Sequence, residues 1–501
     1  MSNSDNLIRL LSSRNVAKNT FFNLLGYGIP LIVAVALIPP LIKGLGEEKF
    51  GILNLCWVVI GYFSFLDFGI GRALTKIVAE KIGLNKTSEI PQLFWTSISL
   101  MFVVSLLGTL ALIIFTPTLI NSIFKISAEL HGETVNTFYV LAITVPIVTT
   151  TAGLRGVLEA YQKFGLINII RTTLGILTFL VPLICLLITN SLFWIVIMLG
   201  VVRVIVWLLY LFRCFGINSE IRSIKVKFNS SLIKPVIKLS SWLTVSNLVG
   251  PLIIHLDRFL IGALISATAI TYYATPYEVV TKLLLIPGAL TAVLFPAFSA
   301  NYQLNTDHAI KLFSRGLRFI FIFLYPIVFF LVTFANEGIT IWLGNSFADK
   351  STIVLQLLAL GVLLNGVAYI PFTFLQGIGK PEIPAIINLI ELPFYLGAMI
   401  YSISEFGIYG AAFVWCFRVL IDLIILLIFT TRTMNTKFEI KHQYLFFIIA
   451  LLFLLLSFFM DEMIIKVVYS IIVMFAFAII TWQFVLDFEE KHFFKKKLKF
   501  K

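Results

Sequence analysis

Residues Ser191–Arg213 read SLFWIVIMLGVVRVIVWLLYLFR, and residues 214–238 continue CFGINSEIRSIKVKFNSSLIKPVIK. The first stretch is an unbroken apolar run with one internal charge, Arg203. As a helix it is long enough to cross roughly 30 Å of hydrocarbon. The second carries Arg222, Lys225, Lys227, Lys234 and Lys238 against the single acid Glu220. Membrane proteins collect Lys and Arg in their cytoplasmic segments, so this basic stretch is expected on the cytoplasmic side.

Cutting the rest of the chain in the same way gives fourteen apolar runs. They lie near 20–42, 50–70, 92–115, 135–158, 165–188, 191–213, 239–264, 268–297, 313–335, 353–376, 383–404, 408–431, 443–460 and 463–486. With both termini cytoplasmic, 29 of the 38 Lys+Arg fall in the cytoplasmic segments. The opposite loops hold Lys43, Lys49, Lys125, Lys350 and Lys466. One missed helix would scramble that asymmetry, so it supports both the count and the orientation. Isolated strands would leave backbone groups unpaired in lipid, so the runs are helices. The expected fold is all-α: a polytopic membrane protein of fourteen transmembrane helices.

Composition agrees. A mean hydropathy of +1.00, with 59% hydrophobic and 13% charged residues, excludes an ordinary soluble domain. The net charge of +13 is then a topology signal and an attraction to anionic membrane lipids, and no nucleic-acid partner is expected. The first twenty residues lack the short apolar core of a cleavable signal, so the first span is expected to be its own insertion signal. Cys56, Cys185, Cys214 and Cys416 have neither metal nor redox spacing. The five histidines form no metal-binding pair, and there is no Gly-rich phosphate loop to support direct ATP drive. No cofactor and no metal are expected.

An internal repeat runs through the chain. Asn23–Gly26 matches Asn247–Gly250, Leu158–Lys163 resembles Leu375–Lys380, and Arg203-Val-Ile-Val aligns with Arg418-Val-Leu-Ile, at offsets of 224, 217 and 215. Residues 1–213 therefore read as an N-lobe and 239–432 as a C-lobe. The two are parallel six-helix repeats related by a pseudo-twofold axis along the membrane normal, a transporter plan with a cavity between the lobes. Residues 214–238 form a cytoplasmic linker, 433–486 an appended helix pair, and 487–501 a basic cytoplasmic tail. Among the prolines inside spans, Pro287 beside Gly288 is the expected bending point.

Charges at membrane depth are costly to insert and are functional candidates for that reason. Inside spans lie Arg203, Asp257, Arg258, Glu278, Lys282, Glu391, Arg418 and Asp422. Arg418 and Asp422 are four residues apart on one helix and are expected to pair structurally, as can Glu278 and Lys282. Arg203 has Trp207 where its repeat partner has an acid, so it needs another partner or a wet cavity. Asp257 and Arg258 point about 100° apart and must look to neighbours. With Glu278 and Lys282 they make either a structural lock or a head-group site with Arg258 and Lys282 facing phosphate oxygens. The candidate binding set is Arg258, Lys282, Arg203 and Arg72, with Asp257 and Glu278 orienting the bases. Arg72 sits in Asp67-Phe-Gly-Ile-Gly-Arg-Ala73, where two glycines permit close helix approach. Snorkelling of Arg72 to lipid phosphate is the alternative.

Gly44–Gly51 and Asp67–Leu74 resemble segments of the polysaccharide-unit flippases. So do His255–Ala263, Tyr272–Lys282, Leu294–Phe298, Leu358–Asn365 and Leu375–Pro381. Over about residues 20–430 the chain resembles the O-antigen and capsule flippase branch of the multidrug/oligosaccharidyl-lipid/polysaccharide exporter superfamily. The resemblance implies two lobes that open alternately and a polyprenyl-pyrophosphate-linked glycan as cargo. It also implies no cofactor, and coupling, where there is any, to an H+ or Na+ gradient. The expected function is a flippase in a bacterial cell (inner) membrane, moving repeat units from the cytoplasmic to the outer leaflet beside glycan polymerase machinery. A cation- or proton-coupled multidrug antiporter of the same superfamily is the first alternative, and it would call for a chamber rich in acids and aromatics. A membrane glycan polymerase or ligase is the second, and it would need external catalytic loops that the chain does not show. Catalysis is therefore not expected.

Overall fold

The computed structural model describes residues 13–63, 69–84, 86–222, 253, 255–304, 306–434, 441–487 and 490–491. Asp67, the linker past Arg222, the start of the expected seventh span with Asn247–Gly250, and the tail lysines after Lys491 lie outside the described residues. Every regular element among the described residues is a helix, and ten are long and apolar enough to cross a membrane. The polytopic all-α class follows.

In chain order the helices are α1 Ser13–Leu45, α2 Glu47–Phe63, α3 Ile70–Gly83, α4 Ile90–Thr118, α5 Ala128–Ala160, α6 Phe164–Leu186 and α7 Leu192–Ile217. A helix over 255–264, here α8, follows. Next come α9 Ala267–Val280, α10 Leu285–Leu304, α11 Thr306–Thr333, α12 Ala335–Leu343, α13 Asn345–Gly377, α14 Glu382–Met434, α15 Lys441–Leu456 and α16 Met463–Ile480. The chain divides into two compact units, Met1–Thr275 and Pro276–Lys501.

The division falls inside α9, whereas the repeat points to a boundary between 213 and 239. Hydrogen bonds account for the difference. The Lys125 amide donates to the Gly262 carbonyl (3.0 Å), and the Ala267 amide donates to the Lys125 carbonyl (3.2 Å). Thr271 Oγ1 donates to the Glu47 carbonyl at 2.6 Å. These bonds tie α8 and the start of α9 into the first unit. At the same end Lys49 pairs with Glu133 (2.9 Å) and donates to the Asn190 carbonyl (2.9 Å). Lys49 and Lys125, from the lysine-poor loops, thus share one end of the unit.

Within the first unit α5 is the central helix, and α7 runs beside it. Gly200 sits against Thr144, Trp207 Nε1 donates to Thr150 Oγ1 at 2.9 Å, and Cys214 Sγ lies 3.5 Å from the Leu154 carbonyl. Helix α3 crosses α5 at Gly156, where a Cβ would stand 2.4 Å from Thr75 Oγ1 and 2.9 Å from the Gly71 carbonyl oxygen. Only glycine allows that approach. Leu74, Phe94, Met101 and Leu154 fill the core beside this crossing.

In the second unit α14 runs for 53 residues and is divided at Gly407, whose φ of 62° and ψ of −141° are non-helical. A Cβ disfavours that left-handed backbone, so glycine marks the turn. Its two arms match the spans expected at 383–404 and 408–431. Ahead of Pro287-Gly288, a 3₁₀ turn over Thr281–Leu284 joins α9 to α10. Pro287 is the third residue of α10. There it lacks an amide hydrogen and crowds the carbonyl four residues back, so the preceding turn tightens.

The helices α15 and α16 are fastened to α11. The Tyr325 ring stacks on Phe477 with centroids 4.6 Å apart, and its hydroxyl donates to the Ala450 carbonyl at 2.9 Å. Arg318 pairs with Asp487 at 2.7 Å and Glu490 at 2.9 Å. Lys466 pairs with Glu337, at the start of α12, at 2.8 Å.

Candidate functional site

A cavity of about 440 Å³ opens in the first unit among α2, α3, α5, α6 and α7. Among the described residues, three arginines and one glutamate line it: Arg72 from α3, Arg155 and Glu159 from α5, and Arg203 from α7. Arg155 Nε lies 3.4 Å from Glu159 Oε1, one turn on, and both side chains are about half exposed. Arg72 is exposed. Arg203 lies deeper. Its Nε is buried and has no hydrogen-bond partner among the described residues, and Trp57 Nε1, from the wall formed by α2, is in the same condition. Burying such donors without acceptors is costly, so their presence on a cavity wall marks a place for a ligand or water.

The neutral wall is also polar. Thr75 donates its hydroxyl hydrogen to the Gly71 carbonyl (2.9 Å), Thr151 to Ile147 (2.6 Å) and Thr178 to Leu174 (2.8 Å). With the hydrogen used on its own helix, each hydroxyl oxygen remains as an acceptor. The cavity therefore offers excess positive charge, an indole and fixed acceptors.

The expected site residues are distributed unevenly. Arg72 and Arg203 meet on this cavity, whereas Asp257 and Arg258 are buried in the same unit and are not among its lining residues. Asp257 Oδ1 accepts the Arg258 backbone amide at 2.7 Å, and Oδ2 accepts the Tyr273 hydroxyl at 2.6 Å. In the second unit Lys282 pairs with Glu278 at 3.2 Å, one turn apart. The pairing expected of Arg418 with Asp422 is not the one formed. Arg418 Nε bonds Glu391 Oε2 at 3.2 Å, and its guanidinium lies over the Tyr395 ring at 5.6 Å. The turn at Gly407 folds the two arms of α14 together, which brings Glu391 within reach. Arg155, Trp57 and the threonines were not singled out from the sequence. The i,i+4 pair Arg155–Glu159 was the available signal. No cluster able to hold a metal occurs among the described residues.

These helices define a membrane-transporter fold. An inward-facing multidrug resistance MATE family transporter of the MOP superfamily superposes with a TM-score of 0.69 at 14% identity, covering 82% of this chain and 94% of its own. The lipid II flippase MurJ, in an inward closed conformation, superposes at 0.70 with 16% identity over 95% and 100% of the two chains. The chain thus has the MOP-superfamily fold. Residues 44–352 match the family described as polysaccharide biosynthesis protein, and the chain belongs to that family. A putative O-antigen transporter of Shigella flexneri is 29% identical over 422 residues, 83% of this chain and 98% of that one. A probable low-salt glycan biosynthesis flippase of Haloferax volcanii, Agl15, is 27% identical over 194 residues, 37% of this chain and 41% of that one.

Proposed function

We propose that this protein is a flippase that carries polyprenyl-pyrophosphate-linked oligosaccharide repeat units from the cytoplasmic to the outer leaflet by alternating access. The observation that carries the reading is a cavity whose described lining residues include three arginines against one glutamate, in a chain of this family. Arginine grips phosphate oxygens bidentately, and an excess of guanidinium charge on a cavity wall attracts anions. Arg72 and Arg155 hold the pyrophosphate, and the cavity threonines accept hydrogen bonds from sugar hydroxyls. The names of the Shigella and Haloferax relatives support a glycan cargo. A cation antiporter would call for the opposite balance of charge. Coupling to H+ or Na+, delivery to a glycan polymerase, a bacterial inner-membrane location and cytoplasmic termini belong to the same proposal.

Arg258 and Lys282 are proposed as further cationic contributors, oriented by Asp257 and Glu278. Arg258→Gln should then abolish surface glycan while the amount of protein in the membrane holds. Loss of protein that is restored by neutralising Asp257 as well makes Arg258 and Asp257 a structural pair of the first unit instead. For the cavity itself, the Arg72→Gln/Arg155→Gln variant is expressed in a strain lacking its own repeat-unit flippase. Surface glycan should fall about tenfold or more at unchanged membrane protein. Unchanged glycan would contradict the proposal.

A further inference from the structure

We infer that Glu391 and Asp422, on the two arms of α14, hold one proton between them beside Arg418, and that this proton is the counter-ion of transport, moving inward as cargo moves outward. The second half rests on the flippase reading, and the whole goes beyond it by naming one ion and its place.

The two arms bring the three residues together. Arg418 Nε bonds Glu391 Oε2 at 3.2 Å, its guanidinium covers the Tyr395 ring at 5.6 Å, and Gly410 packs on Ser402 nearer the turn. Arg418 therefore stands opposite Tyr395. One helical turn beyond Arg418 is Asp422, and one turn before Tyr395 is Glu391. Because the arms are antiparallel, the two carboxylates share a level and a face. They act on each other electrostatically, and Arg418 acts on both.

Charge and hydrogen bonding then call for a proton. Two carboxylates against one guanidinium leave a surplus negative charge at membrane depth, where it is costly. Arg418 pairs with Glu391, whereas Asp422 forms neither an ion pair nor a hydrogen bond among the described residues. Glu391 is 9% exposed. Its Oε1, on the carboxyl group that Arg418 holds, has no hydrogen-bond partner among the described residues. One shared proton cancels the surplus charge and turns two acceptors into a donor and an acceptor. Such a proton belongs to the pair and not to either residue. Asp422, partly exposed and with no bond to give up, is where it enters and leaves. A metal cation would need several oxygens and would stand beside the like charge of the guanidinium, but a proton needs one oxygen.

The neighbouring helices add no charge that would replace it. Helix α13 packs on the second arm where Gly361 meets Trp415. It carries Asp349 and Lys350 at its outer end, and over 351–377 its one titratable residue is Tyr369. Helix α9 reaches the same Trp415 through Tyr277, with ring centroids 5.7 Å apart, and its Glu278 pairs with Lys282. A charge that appears and disappears within one unit gives the proton-bound and proton-free forms different preferences for the inward and outward states.

The test of the proton uses the full chain in lipid nanodiscs and dicyclohexylcarbodiimide, an apolar reagent that reacts with protonated carboxyl groups. Peptide masses of wild type should show the label on Glu391 or Asp422 at about pH 6, and about tenfold or more weakly at about pH 9. Asp422→Asn should also clear the label from Glu391, which then keeps Arg418 to itself, and Asp422→Glu should retain it. A wild type without label, a label that pH does not change, or a Glu391 label that survives Asp422→Asn overturns the shared proton. Coupling is tested in proteoliposomes at clamped membrane potential, with a fluorescent prenyl-pyrophosphate oligosaccharide and a pH step of about one unit. Wild type should concentrate the probe about three- to tenfold in the leaflet facing the acid side, because each exchanged proton supports at most about a tenfold cargo ratio. Asp422→Asn should leave the probe evenly spread. An even spread in wild type, or accumulation driven by a Na+ step instead, overturns the counter-ion role. A wild type that moves no probe removes the flippase reading, and the label still decides whether the pair binds a proton.

Discussion

Arg418 shows what a single residue can and cannot announce. Its spacing from Asp422 suggests a pair within one helix, yet its guanidinium reaches Glu391, 27 positions back. The two become neighbours only because Gly407 turns the chain, and local spacing carries no information about that approach. Removing one member of a buried ion pair strands the other, at a cost of about 3 kcal/mol. Glu391→Gln should lower the thermal midpoint of the purified protein, and Glu391→Leu with Arg418→Met should recover most of the loss. A midpoint unmoved by Glu391→Gln would show that the pair contributes nothing. Asp257 offers a second check, since both of its oxygens are engaged inside the first unit. Tyr273→Phe removes a buried hydrogen bond worth about 1 kcal/mol, so the midpoint should fall; an unmoved midpoint would show that the bond contributes nothing. Arg203 was the more legible residue. With Trp207 where its repeat partner has an acid, it called for another partner or a wet cavity, and its side chain lines the cavity of the first unit.

At the scale of elements, the apolar runs were readable because a membrane helix must be long and continuous in sequence. The attachment of the last two helices was not. Arg318 reads as one more cytoplasmic cation, and Asp487 and Glu490 read as tail acids, yet they meet across about 170 positions. With the aromatic stack of Tyr325 on Phe477 and the pair Lys466–Glu337, α15 and α16 are held to α11 and α12 at both ends and in the middle. Arg318 is buried, so Arg318→Gln leaves the Glu490 carboxylate with Arg315 at 3.4 Å as its cation and with the Asp487 backbone amide. The cost is about 3 kcal/mol. Limited proteolysis should release the segment after residue 434 faster in that variant than in wild type. Equal rates of release would show that the apolar contacts alone hold the pair.

At the scale of the molecule, the basic asymmetry makes a prediction about orientation. Single cysteines at Ser219 and Ser346 should label from the cytoplasm and from outside, respectively. The four native cysteines are buried and should add little background. The opposite pattern would reverse the topology and the direction of transport with it. The all-α class followed from hydropathy, and ten apolar helices of membrane-spanning length occur among the described residues. The cavity did not follow from hydropathy, because it is assembled from five helices whose wall residues are scattered from Trp57 to Val206. The most direct test of the central claim is movement of cargo in a defined membrane. Proteoliposomes are loaded with a prenyl-pyrophosphate oligosaccharide that carries a fluorophore on its sugar, and exchange between leaflets is followed by quenching from outside. Wild type should exchange the probe, and Arg72→Gln/Arg155→Gln, reconstituted to the same amount, should do so about tenfold or more slowly. Exchange by the double variant at the wild-type rate would contradict the claim that this cavity carries the anionic head.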